Sequence, residues 1–385
     1  MPARSRAVRG PVAGLGPAVA VARFAAVAAF GLAPALAMPG CGSSAAERSV
    51  RRAAASHGVR TAAPETPRPG LGRRHRGTPR LLALVTDPAG NRLLVVSVPG
   101  IRLLRAVAVP GEPEYVAGTS AGGPIAVVSA RSAAVRLLGG PQLLGVRVPG
   151  RLVAPHVTAL APGGDFLYVT DDGSGRADVI GLARQRIVSR RFVGLGAHHL
   201  AFSPTGGQVW VVLGQSAQTV AILSTTTPPP SGVTGGNWVN PARPRVVAHL
   251  DPGYRAHDIK FTPDGRSVWI TSASGPTIGV FDARTHRLRR RISGGAPPQH
   301  VVFSGAFAYV TSGYGSTIEQ ISWRTGRVLR RVRAPYGSFE LDAAGPYVVT
   351  SSLLRGTVAV YDRDLRLLHV RRVAATAEDV ALVSP

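Results

Sequence analysis

The run "AHDIKFTPDGRSVWIT" (256–271) is nearly repeated as "AHHLAFSPTGGQVWVV" (197–212) and again as "PHVTALAPGGDFLYVT" (155–170). Each copy holds a short apolar run, a Pro/Gly turn, and a second run ending in an aromatic followed by β-branched residues. That is strand, tight turn, strand. A second set of copies keeps the same time. "TIGVFDARTHRLRRRI", "TIEQISWRTGRVLRRV" and "TVAVYDRDLRLLHVRRV" open at Thr277, Thr317 and Thr357, at intervals of 40 and 40. The preceding copy opens at Thr219, 58 residues earlier; the surplus of 18 is the insertion "TTTPPPSGVTGGNWVNPA" (225–242). Each unit supplies four strands, here called A to D. Four short strands recurring about every forty residues predict a β-propeller blade.

Copies of strand A are expected near Glu114, His156, His198, His257, Gln299, Gly337 and Glu378, which makes seven. The last, "EDVALV" (378–383), has no B strand after it. At the other end, "RLLALVTDPAGNRLLVVSVPGIRLLRAVAVPG" (80–111) reads as B, C and D with no A before it. The C-terminal strand should therefore complete the N-terminal blade, which hides two open edges and locks the ring. The expected fold over 80–385 is all-β, a closed seven-bladed propeller. With 46 Gly, 32 Pro and 45% apolar residues, the chain is too turn-rich for a helical protein and too apolar for general disorder.

The runs "FTPDGRSVWITSASGPTIGVFDART" and "FAYVTSGYGSTIEQISWRTGRV" resemble the YVTN-family β-propeller repeat of bacterial surface and periplasmic proteins. The resemblance is clear from 155 to 372 and loose from 80 to 154. It implies a propeller fold and leaves function open. Related propellers are binding scaffolds, while look-alikes include lactonases, lyases and cofactor-bearing dehydrogenases, with no shared catalytic set to carry over.

Cys41 is the single cysteine, so neither an internal disulfide nor a multi-cysteine zinc site can form. Before it come Arg4, Arg6, Arg9 and Arg23, the apolar run "FAAVAAFGLAPALA" (24–37), and "MPGCGSS". Residues 1–40 thus have the layout of a signal peptide. They resemble a bacterial lipoprotein signal, which implies lipidation of Cys41. Cleavage after "ALA" (35–37) and an uncleaved anchor are the alternatives, although the apolar run is short for a spanning helix. Residues 41–79, rich in Ala, Arg, Pro and Gly without periodicity, read as a disordered basic tether. The expected location is the outer face of the cytoplasmic membrane, or the periplasm or exterior, with a lipid anchor holding the chain to the membrane.

The motif "GTSAG" (118–122) is a literal G-x-S-x-G around Ser120. A nucleophile elbow needs strand, turn and helix, whereas this stretch aligns with the hairpin turn "FTPDG" (261–265), so catalysis by Ser120 is not expected. The chain has no C-x-x-C-H, H-E-x-x-H or P-loop motif, and no cofactor or metal is assigned to it. The start of strand A is the better candidate. His156, His198 and His257 occupy equivalent positions in consecutive blades, and Glu114, Gln299 and Glu378 occupy it in three others. Strand A lines a propeller's channel, so these six side chains should crowd the mouth that carries the D–A and B–C loops. His199 and His300, one residue on, share a second register, and Asp171 and Asp172 of a B–C loop reach the same face. Such a ring can bind a metal or polar ligand, or can simply be a solvated channel whose copies are alike because repeats duplicate.

Formal charge is +25, carried by 44 arginines and one lysine, Lys260. Arg287, Arg289, Arg290, Arg291, Arg327, Arg330, Arg331 and Arg333 fall on or beside D strands, the outer edges. Charge there defends against edge-to-edge pairing; it also suits contact with an anionic cell-wall polymer or lipid headgroups. No aromatic interleaving points to sequence-specific nucleic-acid binding. Trp238, in the Pro/Gly-rich insertion, is a candidate protein-partner anchor. A monomeric binding or scaffold module at the cell surface is expected, with a lactonase-like hydrolase or lyase working at the channel mouth as the alternative.

Overall fold

The computed structural model describes residues 81–384 apart from 119–122, 141, 215–218, 229–237 and 295. Cys41, the tether and Ser120 therefore lie outside the described residues. Among these, every regular element is a strand, and seven four-stranded antiparallel sheets form the blades of a β-propeller. Blade 1 joins both ends of the domain: Val380–Val383 is its strand A, followed outward by Leu81–Asp87, Arg92–Val98 and Leu103–Ala108. Leu84 pairs with Ala381 and Val85 with Val380, as the sequence predicted. Blades 2 to 7 begin on Pro113–Ala117, Pro155–Leu160, Ala197–Phe202, Ala256–Phe261, Val301–Ser304 and Leu341–Ala344.

The strands follow from where their faces point. B and C strands are covered on both faces by neighbouring blades, so they read as continuous apolar runs rather than alternating ones. Ser267–Ser272 ("SVWITS") and Thr277–Asp282 ("TIGVFD") of blade 5 are both buried through their centres. The outer strands Leu288–Ser293 ("LRRRIS") and Leu367–Arg372 ("LLHVRR") are largely exposed. In six of the blades, all but blade 2, the C–D pairing also carries a register shift. Arginines and bulges together make these edges poor templates for another strand. Within the insertion, Thr226–Thr227 pairs antiparallel with Trp238–Val239, between strands C and D of blade 4.

The core is divided among the joints between blades. One apolar cluster fills each joint, such as Trp269, Ile278, Val301 and Val310 between blades 5 and 6. The closing joint is built alike, from Val349, Val358 and Val360 of blade 7 against Ala83, Val85, Val96 and Val380 of blade 1. Losing the last strand would strip both neighbouring joints, since Val383 belongs to the cluster between blades 1 and 2. Deleting 378–385 is therefore expected to abolish the cooperative thermal transition of the whole domain. A truncated protein that melts at the wild-type temperature would show that closure is dispensable.

Candidate functional site

Strand A opens with a bulge in blades 1 to 6. In blade 4, Ala197 pairs with Leu213 and Leu200 with Val211, so His198 and His199 together face the single residue Val212. In blade 5, His257 and Asp258 share Thr271, and in blade 3, His156 and Val157 share Thr170. Gln299 and His300 both bond the backbone of Thr311, and Glu378 and Asp379 both bond that of Thr86. A bulge sets two residues against one and re-aims side chains. Two successive residues per blade are thereby presented at the channel, giving two registers. The first runs Glu114, His156, His198, His257, Gln299, Phe339, Glu378; the second runs Tyr115, Val157, His199, Asp258, His300, Glu340, Asp379. Blade 7 thus contributes Phe339 at the expected register, two residues beyond Gly337.

A threonine hydroxyl fastens most of these bulges. Thr271 Oγ1 accepts the Asp258 N–H at 2.9 Å and donates to the Gln299 carbonyl of the next blade at 3.0 Å. Thr86 does the same for Asp379 (2.9 Å) and Glu114 (2.8 Å). Thr170 accepts from Val157 and donates to His198, while Thr311 accepts from His300 and donates to Phe339. Ser351 donates to Glu378 across the closing joint.

Five imidazoles converge. His156 stacks on His198 with ring centroids 3.7 Å apart. The His199 ring lies 4.7 Å from His198, 5.1 Å from His257 and 4.8 Å from His300. Two triads result, His156–His198–His199 and His199–His257–His300, each with ligand nitrogens within 4.8 Å of one another. His199 belongs to both. Oxygen groups stand behind the rings: Tyr115 Oη lies 3.1 Å from His156 Nε2, and Asp172 is 3.4 Å from His198 Nδ1. Asp258 sits 3.7 Å from Nδ1 of both His199 and His300, and Glu340 is 2.8 Å from His300 Nε2. His199 Nε2, His198 Nδ1 and Asp258 Oδ1 are buried with no hydrogen-bond partner among the described residues. Such orphans ordinarily cost about 1–3 kcal/mol each.

Burial, then the neighbouring imidazoles, holds His156, His199 and His257 well below the usual histidine range, so they are neutral at pH 7. For His300, burial pulls the same way but is outweighed by the charge and hydrogen bond of Glu340, and its pKa is raised. Across the lumen lie the carboxylates. Burial, then Glu112, pushes Glu114 up to about 7; burial, then Glu340, pushes Asp379 up to about 8. Glu378 is raised by burial and next by Glu114. Lys260, the lone lysine, is raised by Asp258 against the effect of burial. A cavity of about 210 Å³ lies within the lumen, lined by Tyr115, His199, Lys260, His300, Glu340 and Asp379 among others.

His156, His198 and His257 are thus brought together on one arc, with Glu114 and Glu378 on the other. Gln299 makes no side-chain hydrogen bond among the described residues; a Cβ added at Gly313 would meet its Cγ at 3.2 Å. Asp171 is spent on the backbone, accepting the N–H groups of Val153 and Ala154. Trp238 is 52% exposed on the ribbon of blade 4, in the C–D connection rather than among the D–A and B–C loops that surround the histidines. Tyr115, Asp258, Lys260, Glu340 and Asp379 went unrecognised in the sequence. Except for Lys260, their signal is a pair of side chains opening strand A, "EY", "HD", "FE" and "ED" in blades 2, 5, 7 and 1, which breaks the alternation of a regular strand.

No protein-family model and no curated protein matches the chain. Solved structures do. A functionally unknown protein from Desulfotomaculum acetoxidans DSM 771 superposes with TM-score 0.65 at 16% identity, covering 79% of this chain and 99% of that one. Apo AztD from Citrobacter koseri gives 0.58 at 12% identity over 80% and 98%. Hydrazine synthase from Kuenenia stuttgartiensis gives 0.51 at 18% identity over 66% and 77%. At these identities the likeness establishes the propeller fold alone.

Asp379 has a raised folded-state pKa, so its unfavourable ionisation sets in above the unfolded value of about 3.9 and is complete only past about 8. Stability contributed by its protonated form is lost as pH rises through that window. Asp379→Asn should therefore raise the melting temperature relative to wild type more at pH 8.5 than at pH 5. Thermal denaturation at the two pH values checks this; an equal change at both would remove Asp379 as a proton holder.

Proposed function

We propose that the protein is an extracytoplasmic, membrane-tethered binding propeller whose cargo is a divalent transition-metal ion held by histidines of blades 3 to 6. The carrying observation is the pair of triads that share His199. Neutral imidazoles are the ligands that zinc, copper and nickel favour, and a metal competes with protons for them. Three of these rings are already neutral at pH 7. Metal-bound histidines usually give their second nitrogen to a carboxylate or hydroxyl, which orients the ring. Asp172, Asp258, Glu340 and Tyr115 are in place to do so. The buried nitrogen of His199 that lacks a partner is the kind of atom an ion would satisfy. Bonds of about 2 Å hold tetrahedral ligand nitrogens about 3.3 Å apart, so the triads need contract by about 1.5 Å at most.

Cobalt(II) absorption and zinc competition with a chromophoric chelator test the reading. Because both triads need His199, His199→Ala should weaken zinc binding by more than about a hundredfold. His156→Ala and His300→Ala should each cost less, since each leaves one triad whole. Circular dichroism should show all three variants folded. Absence of cobalt d–d bands in the wild type, or wild-type affinity in His199→Ala, would dismiss the metal.

The tethering rests on the signal-like leader and Cys41. Cys41→Ala should move the protein from the detergent phase to the aqueous phase, or leave an uncleaved precursor. A single acyl chain anchors only marginally, so further chains or the basic tether must add to it. Equal partitioning of variant and wild type would leave cleavage after Ala37 or an uncleaved anchor as the account of the leader.

A further inference from the structure

A groove on the molecule shares no lining residue with the histidine cavity. It runs between blades 5 and 6, has a volume of about 360 Å³, and is bounded by the A–B turn of blade 5 and the C–D turn of blade 6. In a propeller those turns occupy the face opposite the D–A and B–C loops. Four arginines line it: Arg266, Arg289, Arg290 and Arg324. Two are committed. Arg289 pairs with Asp282, and Arg290 donates to the carbonyls of Trp323 and Arg324 at 2.9 and 3.0 Å. The guanidinium groups of Arg266 and Arg324 make no hydrogen bond among the described residues, although Arg324 lies over the Trp323 ring at 4.5 Å and both act electrostatically on Asp264, the carboxylate that also lines the groove.

The independent observation is Trp269, which also lines the groove. Blades 3 to 6 place a buried aromatic at one register of strand B: Tyr168, Trp210, Trp269 and Tyr309, paired with Ala159, Ala201, Lys260 and Val302. Buried Tyr and Trp normally find a partner for the polar atom. Tyr168 donates to the Pro241 carbonyl, Trp210 to Gln208 and Tyr309 to the Arg363 carbonyl. Trp269, fully buried, leaves its indole N–H unbonded. Of four equivalent donors, only the one beside the arginine-lined groove lacks an acceptor.

We infer that this groove binds a phosphate ester, with the Trp269 N–H and the Arg266 and Arg324 guanidinium groups donating to the phosphate oxygens. A tetrahedral oxyanion can accept from two forked guanidinium groups and an indole at once, which a carboxylate with two oxygens does less well. At about 360 Å³ the groove is larger than a bare ion needs, which leaves room for the organic part of an ester. The site shares no residue with the histidine triads, so it stands apart from the metal reading.

Calorimetric titration of the mature protein with sn-glycerol 3-phosphate and with inorganic phosphate, at constant ionic strength balanced by chloride, tests it. One saturable site is expected. Arg266→Gln combined with Arg324→Gln should weaken it by at least about tenfold, and Trp269→Phe, which keeps a ring, by about fivefold. Arg366→Gln, an exposed arginine of blade 7 outside the groove, should change nothing. Tighter binding of the ester identifies the organic phosphate as the ligand, and equal binding identifies the phosphate group alone; either supports the site. Absence of saturable binding, equal weakening by Arg366→Gln, or wild-type affinity in both groove variants would overturn it.

Discussion

The structure depends on a hydroxyl that bonds in two directions. At four joints a strand-B threonine accepts the N–H of the second bulge residue in its own blade and donates to a carbonyl in the next. The first bond holds a backbone irregularity that a plain strand would smooth out. The second ties that irregularity to its neighbour, so inner strands are aligned by hydrogen bonds as well as apolar packing. Other hydrogen bonds also cross between blades, such as those from the Val301 and Leu382 N–H groups to Asp258 and Asp342, whereas apolar burial is non-directional and fixes a distance better than a register. The channel chemistry inherits this precision. Where Val212 replaces the threonine, the bulge still carries the two adjacent histidines, and their rings are held by neighbouring imidazoles and by Asp172 and Asp258.

The blade count, the strand order and the closure by 378–383 were legible because they depend on spacing and on turn residues. The first register of the channel was legible for the same reason. The second register was only partly so: His199 and His300 stood out as histidines, whereas Asp258, Glu340 and Asp379 looked like ordinary polar residues of a strand. Alternation assigns successive side chains to opposite sides, and a bulge suspends that rule for one residue. Gln299 shows the converse. Its register matches His257, yet position along a strand does not determine where a flexible side chain settles. The groove beside Trp269 had no sequence signal at all, because it arises where turns of two blades meet.

Charge is sorted by depth. Arginines cover the outer strands, where they reach water and blunt the edges. The one lysine sits in the lumen among Asp258, Glu340, Asp342 and Asp379, all of which favour its charged form. A compact ammonium on a flexible stem can share itself among several carboxylates, whereas a planar guanidinium commits to fixed directions. Lys260 thus works as an internal counter-ion for a cavity that would otherwise hold too many acids, and burial favours the protonated forms of Asp342 and Asp379.

The pairing of Leu84 with Ala381 joins residues that are nearly the whole domain apart in sequence. Synthesis runs from the N-terminus, so the first blade lacks its inner strand until Val380–Val383 is made. Contacts of such long separation are slow to form, because the entropy of closing the loop must be met before they stabilise anything. The ring is then a fastening that engages only once Val380–Val383 has been made. Histidines of blades 3 to 6 all precede the final strand, so their cluster gains its full enclosure at the same late moment.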